Sequence, residues 1–261
     1  MVIINNHSLI QLTIYDQLVQ AKRQGHKLFA VLIDPDKMKL TGFNRVIQTA
    51  IEAQVDFFFI GGSLIVNDML DRCIRAIKEA CDIPVILFPG NTYQLSHRAD
   101  GILFLSLISG RNPDLLIGNQ VLAAPFLKQS SLEILSTGYM LIDGGVQTTV
   151  SYISNTQPIP ANKTDIALCT AMAGEMLGMR LLYMDAGSGA KVPVSDEMIR
   201  SVAEATSVPL IAGGGIRDPA TAVRLAKAGA DIIVVGNAIE SNPELVYDIS
   251  TSLHKMKQVT I

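Results

Sequence analysis

The residues with chemical potential stand at the ends of apolar runs. Three runs in the last third of the chain finish in small-residue clusters: Tyr183-Met184-Asp185-Ala186-Gly187-Ser188-Gly189, Gly213-Gly214-Gly215-Ile216-Arg217 and Gly236-Asn237-Ala238. Glycine lets backbone N–H groups approach a ligand closely, and several such loops converging on one point suit an anion such as phosphate. Tyr183 and Asp185 are two positions apart, so in a strand they share one side. A carboxylate there can accept a hydroxyl proton or hold a polyol, and the tyrosine can donate to phosphate.

A second kind of chemistry is indicated nearer the N-terminus. Val31-Leu32-Ile33 opens into Asp34-Pro35-Asp36-Lys37, which places charge where a buried strand meets solvent. That suits a hard cation such as Mg²⁺ held by few protein oxygens. Asp34, at the strand end, is the first candidate ligand, and Asp36 and Lys37 are secondary; a solvated turn with a helix cap is the plain alternative. The next apolar run ends in Gly61-Gly62-Ser63, whose serine hydroxyl would add a metal or phosphate contact from the neighbouring strand. Ser109-Gly110-Arg111-Asn112-Pro113 offers an arginine after a fourth run, where diphosphate contact and an ordinary turn both stay open. Arg217 is either a supporting charge or surface.

These clusters need a scaffold that gathers strand ends. Strand-like runs are predicted over Phe29 to Asp34, Phe57 to Gly62, Pro84 to Pro89, Gly101 to Ser106, Tyr139 to Gly144, Arg180 to Ala186, Pro209 to Gly213 and Ile232 to Gly236. Helical patterns are predicted over Gly42 to Ala53, Asn67 to Ala80, Asp114 to Phe126, Lys163 to Gly178, Ser195 to Thr206, Pro219 to Ala228 and Pro243 to Lys257. This alternation predicts an α/β fold of the parallel (β/α)₈ TIM-barrel type in one domain spanning the chain, with a doubly wound open sheet as the rival. Asp218-Pro219 and Asn242-Pro243 read as N-caps followed by proline, and Gly178 and Gly229 as helix stops. One interval is short. Only Gly90 to Asp100 separates the third and fourth runs, so the third helix is expected to be reduced or missing, which would open an apolar side slot able to admit a long chain.

Composition narrows the partners. A net charge of -3 and a pI near 5.8 give no basic footprint for nucleic acid. No apolar run approaches the roughly 20 residues of a membrane span and Met1 to Gln20 shows no signal-peptide pattern, so the chain reads as cytosolic. The mean hydropathy of +0.33 is high, as buried parallel strands would make it, with an apolar ligand groove or oligomer interface as a sharper cause. Cys73, Cys81 and Cys169 lack paired spacing and read as reduced thiols; His7, His26, His97 and His254 are scattered and suggest no histidine metal site.

Taken together and in order, the clusters beginning at Asp34, Gly61, Ser109, Tyr183, Gly213 and Gly236 resemble the geranylgeranylglyceryl phosphate synthase family, which also includes heptaprenylglyceryl phosphate synthases. The resemblance implies a modified (β/α)₈ barrel with the third helix replaced. It implies a Mg²⁺-dependent prenyl transfer from a polyprenyl diphosphate to the C3 hydroxyl of sn-glycerol 1-phosphate, with diphosphate released. Asp34 and Ser63 resemble the family's Mg²⁺ positions, and Tyr183, Met184, Asp185, Ala186, Gly187, Ser188, Gly189, Gly214, Gly215, Gly236 and Asn237 its glycerol phosphate site, with Asp185 as candidate catalytic base.

Two departures stand out. Some members carry lysine where Ile33 stands, and many carry glutamate where Asp185 stands; the longer Gly187-Ser188-Gly189 tail resembles the family's second group. That likeness implies a C20 donor, a dimer or hexamer, a cytoplasmic location and transient membrane contact. The alternatives are a longer heptaprenyl donor, an isomerase or aldolase of small sugar phosphates, and a non-catalytic prenyl-phosphate-binding barrel.

Overall fold

The computed structural model describes residues 12–36, 40–64, 66 and 69–256. Eight parallel strands close into a barrel in chain order: β1 (Leu28–Ile33), β2 (Phe57–Ile60), β3 (Val85–Leu87), β4 (Gly101–Leu107), β5 (Glu133–Leu141), β6 (Leu181–Asp185), β7 (Leu210–Gly213) and β8 (Ile232–Val235). β8 returns to β1 through the register Leu28 to Ile232 and Val31 to Val235, which removes every sheet edge and excludes the open-sheet rival.

The helices follow the expected rhythm, with additions. They are α1 (Ile14–Arg23), α2 (Leu40–Glu52), α3 (Leu70–Ala80), α4 (Asn119–Gln129), α5 (Thr149–Ile153), α6 (Thr164–Met176), α7 (Asp196–Ala205), α8 (Pro219–Ala228), α9 (Asn237–Ser241) and α10 (Leu245–Met256). Ser195 caps α7 by accepting from Met198 N, and Asp218 caps α8 by accepting from Thr221 N with Pro219 at the first helical position. The expected starts at Asn67 and end at Lys257, and the candidate Lys37, lie outside the described residues.

Three expectations shift. The fifth strand runs over Glu133–Leu141 rather than Tyr139 to Gly144, because Ser136 and Thr137 break the apolar run without breaking the strand; buried Thr137 donates to the Leu135 carbonyl at 2.7 Å. The fourth helix begins with a π-helical turn at Asp114–Gly118. The sequence reading placed no helix at α1, which closes the N-terminal end of the barrel. Its Ile14, Leu18 and Ala21 join the interior layer of Leu28, Phe57, Leu103, Leu135, Leu181 and Ile232, and the Glu133 carboxylate accepts from the first amides of α1, Ile14 N at 2.6 Å and Tyr15 N at 2.9 Å.

The interval before β4 behaves as its length required. Residues 88–100 carry turns and no helix. Gln94 and Ser96 are buried there, while Phe104, on the outward face of β4, is only half-buried, where a third helix would ordinarily cover the sheet.

Candidate functional site

A cavity of about 390 Å³ lies at the C-terminal end of the barrel, the end where barrel active sites form. Strand parity decides what faces it. Tyr183 and Asp185 alternate inward with Leu181, whereas Met184 and Ala186 point outward and are buried in the layer between strands and helices. The cavity lining therefore includes Tyr183, Asp185, Gly187, Ser188, Gly189, Gly214, Gly215, Gly236 and Asn237 among the expected substrate residues, and the structure does not bring Met184 or Ala186 to it.

Asp185 sits at the inner edge of this end, 7% exposed. Its Oδ2 accepts from the Tyr139 hydroxyl at 2.6 Å and its Oδ1 from Gly187 N at 2.7 Å. Burial pushes the carboxyl above the ordinary carboxylate range, and these two donors oppose that rise. Tyr139 and Tyr183 are themselves pushed well above the usual phenol range, first by burial and then by the Asp185 charge, so both remain protonated donors. Phe88 packs 5.2 Å from Tyr183 in a stacked arrangement, and Tyr139 meets Tyr183 edge-on at 5.4 Å. Tyr139 and Phe88 were not singled out from the sequence. Tyr139 shares the face of Leu141 in β5, but that this face is the inward one follows from the register with β6, which sets Tyr139 opposite Tyr183 and Leu141 opposite Asp185.

Above Asp185 the glycines form a small-residue floor. Gly214 and Gly215 have φ of +79° and +72°, and a Cβ on Gly214 would lie 2.6 Å from both Asp185 Oδ1 and Gly187 N. Only glycine permits that approach. Ser188 Oγ donates to Asn237 Oδ1 at 3.1 Å, joining the loops after β6 and β8. Arg217 braces the same rim by donating to the carbonyls of Ala190 at 2.7 Å and Lys191 at 3.2 Å, and it lines the cavity. Ile33 is 1% exposed in the outer layer and does not line the cavity.

Around the mouth, the strand order places β1 and β2 between these glycine loops and β3. Asp34 and Ser63 both line the cavity there. A Cβ on Gly62 would lie 3.2 Å from Asp34 Oδ2, so the glycine lets the carboxylate pack against the loop that carries Ser63. Asp34 Oδ1 accepts from Asp36 N at 3.1 Å, and Asp36 accepts from Val66 N. A carboxylate and a hydroxyl lining the same solvent-open rim are oxygen donors of the kind that fit Mg²⁺, which retains much of its water.

Past β3 the cavity becomes an apolar slot. Leu95, Ile102, Phe104, Leu115 and Ala123 line it, where the helix between β3 and β4 is missing. The cluster after β4 stands apart from it. Arg111 folds onto the carbonyls of Gly110 and Ile108, Asn112 donates to Ser154 O, and Ser109 accepts from Leu141 N. None of the residues 109–113 lines the cavity.

Residues 19–253 match the PcrB family model. The chain belongs to the PcrB family. Among PcrB relatives, the geranylgeranylglyceryl phosphate synthase of Chitinophaga pinensis is 56% identical over 241 residues, covering 92% of this chain and 96% of that one. The enzyme of the same name from Spirosoma linguale is 52% identical over 240 residues, again covering 92% and 96%. A crystal structure of (S)-3-O-geranylgeranylglyceryl phosphate synthase from Thermoplasma acidophilum, in complex with its substrate sn-glycerol-1-phosphate, superposes with a TM-score of 0.88 at 34% identity, covering 94% of this chain and 100% of that one.

Proposed function

We propose that this chain is a geranylgeranylglyceryl phosphate synthase, a prenyltransferase that joins C1 of geranylgeranyl diphosphate to the C3 hydroxyl of sn-glycerol 1-phosphate. One observation carries the reading. A single cavity runs from the glycine floor above Asp185, past Asp34 and Ser63, into the apolar slot beside β4. The relatives that bear this name cover nearly the whole chain.

The glycine loops after β6, β7 and β8 hold the phosphate of the acceptor, with Arg217 supplying positive charge at that rim. Asp185 holds the glycerol and takes the proton of the C3 hydroxyl as the new C–O bond forms and the bond from C1 to diphosphate breaks. Burial raises its pKa, which makes it a stronger base than an exposed aspartate. Because an allylic carbon readily develops cationic character, placing the hydroxyl in line contributes alongside proton removal. Asp34 and Ser63 would hold Mg²⁺, which when bound offsets charge developing on the leaving diphosphate. We further read the protein as a cytoplasmic homo-oligomer, dimer or hexamer, that meets a bilayer only transiently to collect its donor.

Incubation with sn-glycerol 1-phosphate, Mg²⁺ and prenyl diphosphates of several lengths, with product mass as the readout, tests the reading. A C20 ether product is expected; a preferred C35 donor would reassign the chain to heptaprenyl transfer. Absence of turnover with every donor would overturn the enzyme reading, and equal use of glycerol 3-phosphate would refute the stereospecific site. Asp34→Asn is expected to abolish Mg²⁺-dependent turnover while glycerol 1-phosphate still binds.

A further inference from the structure

The crossover that replaces the third helix is pinned to the barrel by one buried amide. Gln94 is 4% exposed. Its Nε2 donates to Gly62 O at 2.8 Å, while its Oε1 accepts from Gly62 N at 3.2 Å and from Gly90 N at 3.1 Å. A carboxamide thus pairs with both polar groups of Gly62, as a neighbouring strand would, and also ties in the residue that opens the crossover.

Gly62 matters because of its neighbours. It lies between Gly61 and Ser63, and the Asp34 carboxylate packs on its Cα face. Gly61 has φ +148° with Phe88 O directly against it, and a Cβ on Gly90 would lie 2.4 Å from Gly62 O and 2.8 Å from Ser63 O. The backbone of the Ser63 loop is therefore clasped from below by Gly90 and from the side by Gln94. On the other side of the crossover, Ser96 donates to the Asp71 carboxylate of α3, and Arg98 approaches the same carboxylate at 3.5 Å. Leu95, next to Gln94, lines the apolar slot.

We propose that Gln94 is a positioning residue for the prenyl donor. Its amide holds the Gly62-Ser63 backbone against Asp34 and, through Leu95, fixes where the apolar slot begins relative to the diphosphate end. It makes the missing helix and the Asp34–Ser63 rim one mechanical unit. The inference rests on the reading of Asp34 and Ser63 as the Mg²⁺-diphosphate end of the site.

Gln94→Leu keeps the bulk and removes all three bonds. Gln94→Glu keeps the shape and an acceptor for both amides but sets a second carboxylate oxygen against Gly62 O. Titration calorimetry with inorganic diphosphate in the presence of Mg²⁺ is expected to show a Kd raised about tenfold in both variants, with the Kd of glycerol 1-phosphate within twofold of wild type. In turnover, KM for the prenyl diphosphate rises while KM for glycerol 1-phosphate does not. Unchanged diphosphate binding, or equal weakening of both ligands as a general loosening would give, overturns the role. Should Gln94→Leu fail to fold, the Gln94→Glu variant carries the same comparison. Wild-type protein that turns over with unaffected variants overturns only the role of Gln94; wild-type protein without turnover overturns the underlying reading and this inference with it.

Discussion

The Tyr139 hydroxyl donates to Asp185 Oδ2 at 2.6 Å across adjacent strands, inside the barrel. Register makes this contact. Tyr139 pairs with Tyr183 and Leu141 with Asp185, so the tyrosine starts two residues below the carboxylate on the same inward face and reaches up to it. With Gly187 N on the other oxygen, the carboxylate is held from two directions and its orientation is set by backbone and barrel wall. The aspartate side chain is short and has little freedom to reorient, so its two donors define its position.

Tyr139→Phe tests this hold. The hydroxyl lowers the Asp185 pKa against the effect of burial, so its loss lets the carboxyl rise further. The acid limb of the kcat/KM profile is expected to move to higher pH, and stability to fall by about 1–3 kcal/mol for a buried bond to a charged group. A pH profile that does not move would show that Asp185 does not limit the reaction on the acid side.

Asp185→Asn separates catalysis from stability. Burial raises the folded-state pKa above its unfolded value near 4, so between the two values the native state holds more protons and stability falls as pH rises through that window. Above the window the variant, which never ionises, is expected to melt at a higher temperature than wild type relative to its difference at pH 3. Turnover should drop by about 10²–10⁴, the range for removal of a general base. Thermal scans at the two pH values and steady-state assays read both effects.

The slot beside β4 makes a prediction of its own. Ala123 of α4 is 7% exposed and lines that slot. Ala123→Phe is expected to raise KM for a C20 donor by about tenfold or more, since it fills space the chain needs. Short allylic diphosphates should be affected less, and the KM of glycerol 1-phosphate not at all. Equal effects on short and long donors would place the chain elsewhere.

Gly214→Ala probes the floor. At φ +79° an alanine is strained, and its Cβ would meet Asp185 Oδ1, Gly187 N and Ala186 N within 2.8 Å. A loss of more than about 2 kcal/mol is expected by denaturant titration, with glycerol 1-phosphate binding lost. Gly178→Ala is the control: it also has positive φ, at +88°, but nothing lies within 4 Å of a Cβ there, so only the conformational cost should appear.

Much of the architecture was legible in the chain because its cause is local. Alternating apolar runs and capped helices are short-range signals, and strands at Gly101, Ile232 and the helix at Pro219–Ala228 begin where the pattern places them. The thin third crossover was equally legible, since eleven residues are too few for a full helix and its connections. Glycine clusters at strand ends pointed to a phosphate site for the same reason: positive φ and close approach are demands that only glycine meets.

What the sequence by itself determined, then, was the barrel, the order of its strand ends and the kinds of groups those ends carry. Tertiary structure alone decided which of those groups meet. Inward parity kept Tyr183 and Asp185 at the cavity and turned Met184 and Ala186 away; closure of the barrel put Asp34 and Ser63 between the glycine floor and the apolar slot. Tyr139 and Gln94 acquire their roles from partners 46 and 32 residues distant. No local pattern encodes such a contact, because its geometry is set by strand register and by the path of a crossover that forms no regular element.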